Sequence, residues 1–276
     1  VSLDSNYKCP DKRPVTGPFG DYDGKVKLYP LNSQPPNMVV FNYWEGSEPD
    51  WMSNYGKGPA GLWTHYYPEC RHILYNKLLA RKYIEQNFSG EVVDMYDSFR
   101  DNLPAARSDF FRVAYCYKEG GTYIDRRFVP DRRHYTQSMQ KKWVNVGIFC
   151  EKGDYKCLLT TRPNGAIWNG FICTDPGSET ITKIWEVLQH NVKNKLFSNN
   201  VWLATGPGAF SRTIEKNVPS DTKIIEWDLF RNYLIPLELV KPGTAKNKIR
   251  GITAKGIRKH VDFHHWSKSQ ETGIYN

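Results

Sequence analysis

Asp109 and Arg112 stand three residues apart, and Asp125 lies further along the same stretch. A carboxylate accepts hydrogen bonds from hydroxyls, and a guanidinium offers a fixed fork of donors, so two acids and a base brought together can hold a polar ligand. Residues 102–129 are built to bring them together. Asn102 or Ser108 can cap a helix start, and Pro104 suits a first turn, where its missing N–H is not needed. Phe110, Val113, Ala114 and Tyr117 follow the i, i+3, i+4, i+7 spacing of a core-facing helix, while Asp109 and Arg112 share another face. Gly120 and Gly121 stop the helix, and Thr122–Ile124 begin a strand that ends at Asp125. A surface helix with an intrahelical ion pair is the competing reading of the same spacing.

The chain of 276 residues can hold one large domain. Hydrophobic residues make up 39% and charged residues 24%, which fits a soluble globular chain and excludes a disordered one. Aromatics reach 14%, a level that serves either stacking on sugars and bases or a large core. The net charge of +9 favours anionic ligands without choosing among phosphates, nucleic acid and an acidic membrane. The 6 cysteines, among them Cys116, Cys150 and Cys173, show neither a zinc spacing nor a small disulfide framework, so buried free thiols are expected. That usage favours a reducing, cytoplasmic setting, with a secreted form as the competing reading. No apolar run is long enough to span a membrane, and the first residues are not expected to form a signal peptide. The chain starts on Val1, so a Golgi-lumenal ectodomain freed of its anchor also stays open.

Residues 1–37 lack periodicity and read as an N-terminal arm; 38–276 read as a single domain. Met38–Trp44 is a nearly continuous apolar run, as in a buried strand, and leaves Trp44 at the C-terminal end, where open α/β sheets bind ligands. A core Trp is the alternative. A strand at His72–Tyr75 and a helix over Lys77–Phe88 follow, the helix turning Leu79, Tyr83 and Ile84 inward. Strands are expected at Val92–Tyr96, Trp143–Cys150, Tyr155–Thr161 and Ala166–Cys173, with a polar loop over Asp131–Lys142. Ile181, Ile184, Trp185, Leu188 and Val192 mark an amphipathic helix that Ser178 or Thr180 can cap. Val201–Thr205 is read as a strand leading through Gly206-Pro207-Gly208 into a helix, the glycines letting backbone N–H groups approach a phosphate. Short strands are expected at Ile224–Trp227 and Leu234–Leu237. The basic stretch 241–260 is a solvated face or, alternatively, a polyanion or peripheral membrane contact. Strands alternating with helices define an α/β fold.

Arg107–Arg112 with Gly120–Asp125 resembles the glycosyltransferases that carry a DXD-containing sugar-binding region: glycosyltransferase family 32, the yeast initiating α-1,6-mannosyltransferases and, more distantly, the clostridial glucosylating toxins. Further stretches resemble that family in order: His72–Phe88, Asn169-Gly170-Phe171, Asp175-Pro176-Gly177, Thr205-Gly206-Pro207-Gly208 and His264–Ser269. The resemblance implies a GT-A, Rossmann-like fold with a mainly parallel mixed sheet. It also implies retaining transfer of a hexose from a UDP- or GDP-linked sugar to a glycan or glycoconjugate hydroxyl, a role in glycan biosynthesis. Carried over by position, Trp44 stacks on the donor base, Asp109 and Arg112 hold the sugar, and Tyr123 and Asp125 meet the ribose, phosphate or metal. Asn169 lies beside sugar and acceptor. Gly206 approaches the donor, and His264 or His265 with Trp266, Ser267 and Ser269 closes over the diphosphate. The implied catalytic set is Asp109, Arg112, Asp125 and Asn169.

The chain departs from the pattern where the second Asp of the motif becomes Arg127, and where the closing Trp becomes Gln270. Mn²⁺ and Mg²⁺ take oxygen ligands, which a neighbouring cation opposes. Three readings follow: Arg126 or Arg127 replaces the metal's charge; metal binds through Asp125, the diphosphate and His264; or the chain is a non-catalytic relative. No organic cofactor and no nucleic-acid partner are expected. A basic nucleotide- or polyanion-binding protein without catalysis and an adhesin-like glycan-binding module are the competing functions.

Overall fold

A computed structural model describes residues 39–45, 63, 71–130, 152–236, 270 and 273–276. The arm 1–37, most of the loop 45–70, the loop and strand expected over 131–150, the basic stretch 241–260, and Cys9, Cys70 and Cys150 lie outside them.

Six strands form the main sheet: β1 (Val39–Tyr43), β2 (Arg71–Tyr75), β3 (Gly121–Ile124), β5 (Cys157–Thr161), β6 (Ile167–Thr174) and β7 (Thr222–Ile225). Their order is β2-β1-β3-β6-β5-β7. Only β6 runs against its neighbours, so the sheet is mixed and mainly parallel, as the sequence led us to expect. β4 (Phe128–Pro130) and β8 (Leu234–Pro236) form a separate antiparallel pair. The strands read as apolar runs because both faces are covered. Phe41, Tyr43, Tyr123, Leu159 and Ile172 enter one core; their neighbours Val40, Ile124, Leu158, Phe171 and Cys173 enter the other. This alternation is the period-two rule of a strand.

The larger core packs under α1 (Lys77–Asn87), α2 (Gly90–Asp97), α3 (Pro104–Glu119), α4 (Glu179–Lys193), α5 (Val201–Ala204) and α6 (Pro207–Ile214). The smaller one holds Trp63, Trp168 and Phe230 of α7 (Trp227–Tyr233). Among the described residues, no helix is long and apolar enough to cross a membrane. Cys116, Cys157 and Cys173 are buried free thiols whose pKa values burial raises.

α3 starts on Pro104 behind Leu103, and neither Asn102 nor Ser108 caps it. Gly120 ends it at φ 71°, with its N–H on the Cys116 carbonyl. A Cβ on Gly120 would lie 2.7 Å from Pro176 Cδ and 2.8 Å from the Thr174 carbonyl, so both the conformation and the space require glycine there. The helix is buried from Ala106 through Cys116, with Tyr117 at its exposed edge.

Several local expectations are corrected. Val92–Tyr96 is helical: Val92, Met95 and Tyr96 are buried at i, i+3, i+4 spacing, and Glu91 sits in the first turn, where it favours the helix dipole. In α1 the Asn76 carboxamide caps the Leu79 N–H at 2.9 Å; Ala80 and Ile84 face the core, and Leu79 is left exposed. α4 buries all five predicted residues, but its first N–H donates to Asp221 at 2.8 Å, while Thr180 pairs with Thr222 and, among the described residues, the Ser178 hydroxyl has no hydrogen-bond partner. Val201–Ala204 is a single helical turn that Asn200 caps through the Leu203 N–H. Trp227 ends no strand; it opens α7 after Glu226.

Candidate functional site

The C-terminal ends of β1 and β3, the start of β6 and the first half of α3 meet at one edge of the sheet. Asp109, predicted to share a face with Arg112, does so inside the protein. One Arg112 terminal nitrogen lies 3.1 Å from Asp109 Oδ1, and the other lies 3.4 Å from Asp125 Oδ1. The remaining donors are placed as firmly: Nε on the Ser108 carbonyl at 3.1 Å, Nη2 on Ser108 Oγ at 2.7 Å and Nη1 on the Asn169 carbonyl at 2.8 Å. The guanidinium also lies over the Tyr123 ring, 4.1 Å from its centroid. Arg112 is therefore a strut that joins both acids to β6, with its donors turned to protein.

Asp109 is enclosed. Asn169 Nδ2 donates to its Oδ1 at 2.9 Å, and the Thr205 hydroxyl approaches Oδ2 at 3.5 Å. Burial pushes its carboxyl up to about 7, against the pull of Arg112 and with a push from Asp125. Asp125 is the accessible acid, with 37% of its side chain exposed. Its Oδ1 accepts from the Tyr123 hydroxyl at 3.0 Å, and its backbone N–H donates to the Gly170 carbonyl at 2.8 Å. Tyr123, expected to touch the donor, is buried with its hydroxyl on Asp125 Oδ1.

Trp44 follows β1 and is partly exposed; its backbone N–H donates to the Tyr75 carbonyl at 2.8 Å. Arg126 is buried with its guanidinium 5.5 Å from the Trp44 ring centroid. It also lies close enough to His72 to add to the burial that lowers that imidazole to about 4. His72 donates through Nε2 to Asn42 Oδ1 at 2.5 Å, and Asn42 in turn donates to the Ile124 carbonyl. Glu45 forms a two-pronged pair with the fully buried Arg107, at 2.7 and 2.6 Å, and Arg107 also donates to the carbonyls of Phe99, Arg100 and Asp101. This pair ties the segment after β1 to the lead-in of α3. Arg127 is exposed beside Asp125 in sequence.

The Thr205–Gly208 turn reaches the site differently from the prediction. The Gly206 N–H is taken by the Val201 carbonyl at 2.9 Å, so it is not aimed at a phosphate. A Cβ on Gly206 would stand 3.3 Å from Asp109 Oδ2, so this glycine lets the turn close over the carboxylate. His264, His265, Trp266, Ser267 and Ser269 lie outside the described residues. Among the described residues no three His, Cys, Asp or Glu side chains converge as a metal site, and the one accessible acid, Asp125, is followed by two arginines. Among the described residues, that set offers a hard divalent cation one accessible carboxylate.

Three participants escape the sequence reading. Gly170 faces Asp125: a Cβ there would lie 2.6 Å from Asp125 Oδ2 and 2.2 Å from the Trp168 ring. Arg162 and Trp202 lie beside the same edge, the guanidinium 5.1 Å from the indole centroid. The signal for Arg162 was the Pro163-Asn164-Gly165 turn, which returns the chain between β5 and β6; nothing local marked Trp202.

Residues 45–143 match the model of the glycosyltransferase sugar-binding region containing the DXD motif. In three dimensions the chain is similar to the PaToxG glycosyltransferase, at 15% identity and a TM-score of 0.45, over 68% of this chain and 72% of that one. It is also similar to the ligand-free glycosyltransferase domain of the YGT toxin, at 10% identity and a TM-score of 0.40, over 68% of this chain and 79% of the other. No curated protein matches it.

Proposed function

We propose that the chain is a retaining GT-A glycosyltransferase that moves a hexose from a UDP- or GDP-linked sugar to a hydroxyl of a glycan or glycoconjugate. The observation that carries this reading is the Asp109–Arg112–Asp125 cluster, bridged by Asn169 at the sheet edge and lying mostly within the matched sugar-binding region. Trp44 offers its indole to the donor base, and the accessible Asp125 carboxylate accepts ribose or sugar hydroxyls. Asp109 and Asn169 fix the wall against which the sugar rests.

Transfer requires that charge on the departing diphosphate be stabilised while the acceptor hydroxyl is held on the same face of the sugar. The enclosed Asp109 is poorly placed for covalent attack and acts by positioning. The leaving phosphate takes the acceptor proton. The exposed Arg127, which stands where the second acid of the motif would be, supplies the positive charge to the diphosphate.

Incubation with a panel of UDP- and GDP-sugars, in Mn²⁺ and in EDTA, tests the reading. Nucleotide release with one donor class, persisting in EDTA, is expected. Release in Mn²⁺ alone contradicts the arginine assignment. Nucleotide binding without release from any donor and acceptor leaves the non-catalytic relative as the answer.

A further inference from the structure

The sheet edge continues past the residues assigned to the donor. After β5 a tight turn returns the chain to β6: the Arg162 N–H donates to the Ala166 carbonyl at 2.7 Å, and the Gly165 N–H to the Arg162 carbonyl at 2.9 Å. The guanidinium of Arg162 lies over Trp202. Trp202 is itself wedged in place, since a Cβ on Gly208 would meet its indole at 2.3 and 2.4 Å. Arg162 is partly buried, yet among the described residues its guanidinium makes no hydrogen bond and no ion pair. Arg81, Arg107 and Arg112 are all paired with carboxylates. Burial lowers Arg162, and the fields of Asp125 and Asp109 only partly oppose it. A partly buried cation whose neighbouring carboxylates offset its desolvation only in part is unfavourable, and a ligand that brings a further anion removes the cost.

Position says which part of a ligand that is. The sheet order places Trp44 after β1, Asp125 after β3, Asn169 in β6 and Arg162 after β5, in that sequence along the edge. With the base at Trp44 and the sugar at Asp109 and Asn169, Arg162 and Trp202 stand beyond the sugar, on the side an acceptor approaches. We infer that Arg162, held on the Trp202 indole, binds a carboxylate or phosphate group of the acceptor, so that the acceptor class is an acidic glycan or glycoconjugate. Naming the ligand as acceptor rests on the transferase reading; the anion site does not.

The test is calorimetric titration of the full chain, with saturating UDP or GDP, against methyl glucuronide, glucose 6-phosphate, methyl glucoside and inorganic phosphate. At least one of the two anionic sugars should bind tenfold or more tighter than the neutral glucoside, and the stronger of the two identifies carboxylate or phosphate. Arg162→Gln should abolish that preference, Arg162→Lys should retain part of it, and both variants should unfold within a few degrees of the parent. The proposal is overturned by equal binding of charged and neutral sugars, by a preference that survives Arg162→Gln, or by inorganic phosphate binding as tightly as the sugar phosphate with no contribution from the sugar. A parallel loss of nucleotide affinity would move Arg162 to the donor and overturn it as well. Absence of nucleotide release from every donor would defeat the transferase reading while leaving the anion preference measurable, so the two failures are distinct.

Discussion

Two ionisable residues at the site, the buried Asp109 and the half-buried His72, make opposite demands on pH. Asp109 is raised to about 7 by burial from an ordinary carboxylate value of 3.8. The folded chain therefore holds a proton there that the unfolded chain has lost, and the stability Asp109 contributes falls as pH rises between those values. His72 is lowered from 6.5 to about 4 by burial and by Arg126, so the unfolded chain holds the extra proton, and its contribution is lost as pH falls through that window. Between about pH 4 and 6.5 the two slopes oppose. Melting curves at several pH values should show Asp109→Asn making stability rise more steeply with pH, and His72→Gln making it rise less. Gly170 is constrained by space rather than charge. Gly170→Ala drives a methyl group into Trp168 and Asp125, a kind of overpacking that costs about 1–3 kcal/mol, and denaturant titration should find that loss together with weakened nucleotide binding.

Among the elements, α3 carries most of the organisation. Its site face is anchored by the Arg107–Glu45 pair, and both side chains are largely withdrawn from water. Arg107→Ala leaves Glu45 and three backbone carbonyls without their partner, so a loss of about 3–5 kcal/mol in unfolding free energy is expected. On its outer side α3 meets α4 through Trp185, which packs on Phe110 at 4.9 Å, Phe88 at 5.5 Å and Tyr117 at 6.0 Å. Trp185→Ala should cost about 3–5 kcal/mol by the same measurement. The element was legible because Pro104, the apolar spacing and Gly120 agree on one helix. Its neighbours were harder: Val92, Met95 and Tyr96 fit a helix as well as a short apolar run does, and Asn200 capping Leu203 turns Val201–Ala204 away from a strand. Short apolar runs do not distinguish the two, and side-chain caps decide.

At the scale of the molecule, the α/β class was readable from alternating segments, the mainly parallel sheet from the family resemblance, and the site edge from Asp109, Arg112 and Asp125. What the sequence did not disclose is how the groups divide their work. Arg112 and Tyr123 have donors turned to Ser108, Asn169 and Asp125, contacts that spacing along one segment does not show. Gly206 looks like a phosphate cradle until its N–H is found on Val201. Such roles depend on groups brought together from distant parts of the chain, which spacing along one segment does not encode. The central claim is that Asp109 and Asn169 form the sugar wall of a transferase. Its most direct test is the rate of nucleotide release from the preferred UDP- or GDP-sugar by the parent chain and by Asn169→Ala, with nucleotide affinity and folding measured alongside. The account predicts release by the parent and a loss of tenfold or more in Asn169→Ala at unchanged nucleotide affinity; equal rates in the two folded proteins would contradict it.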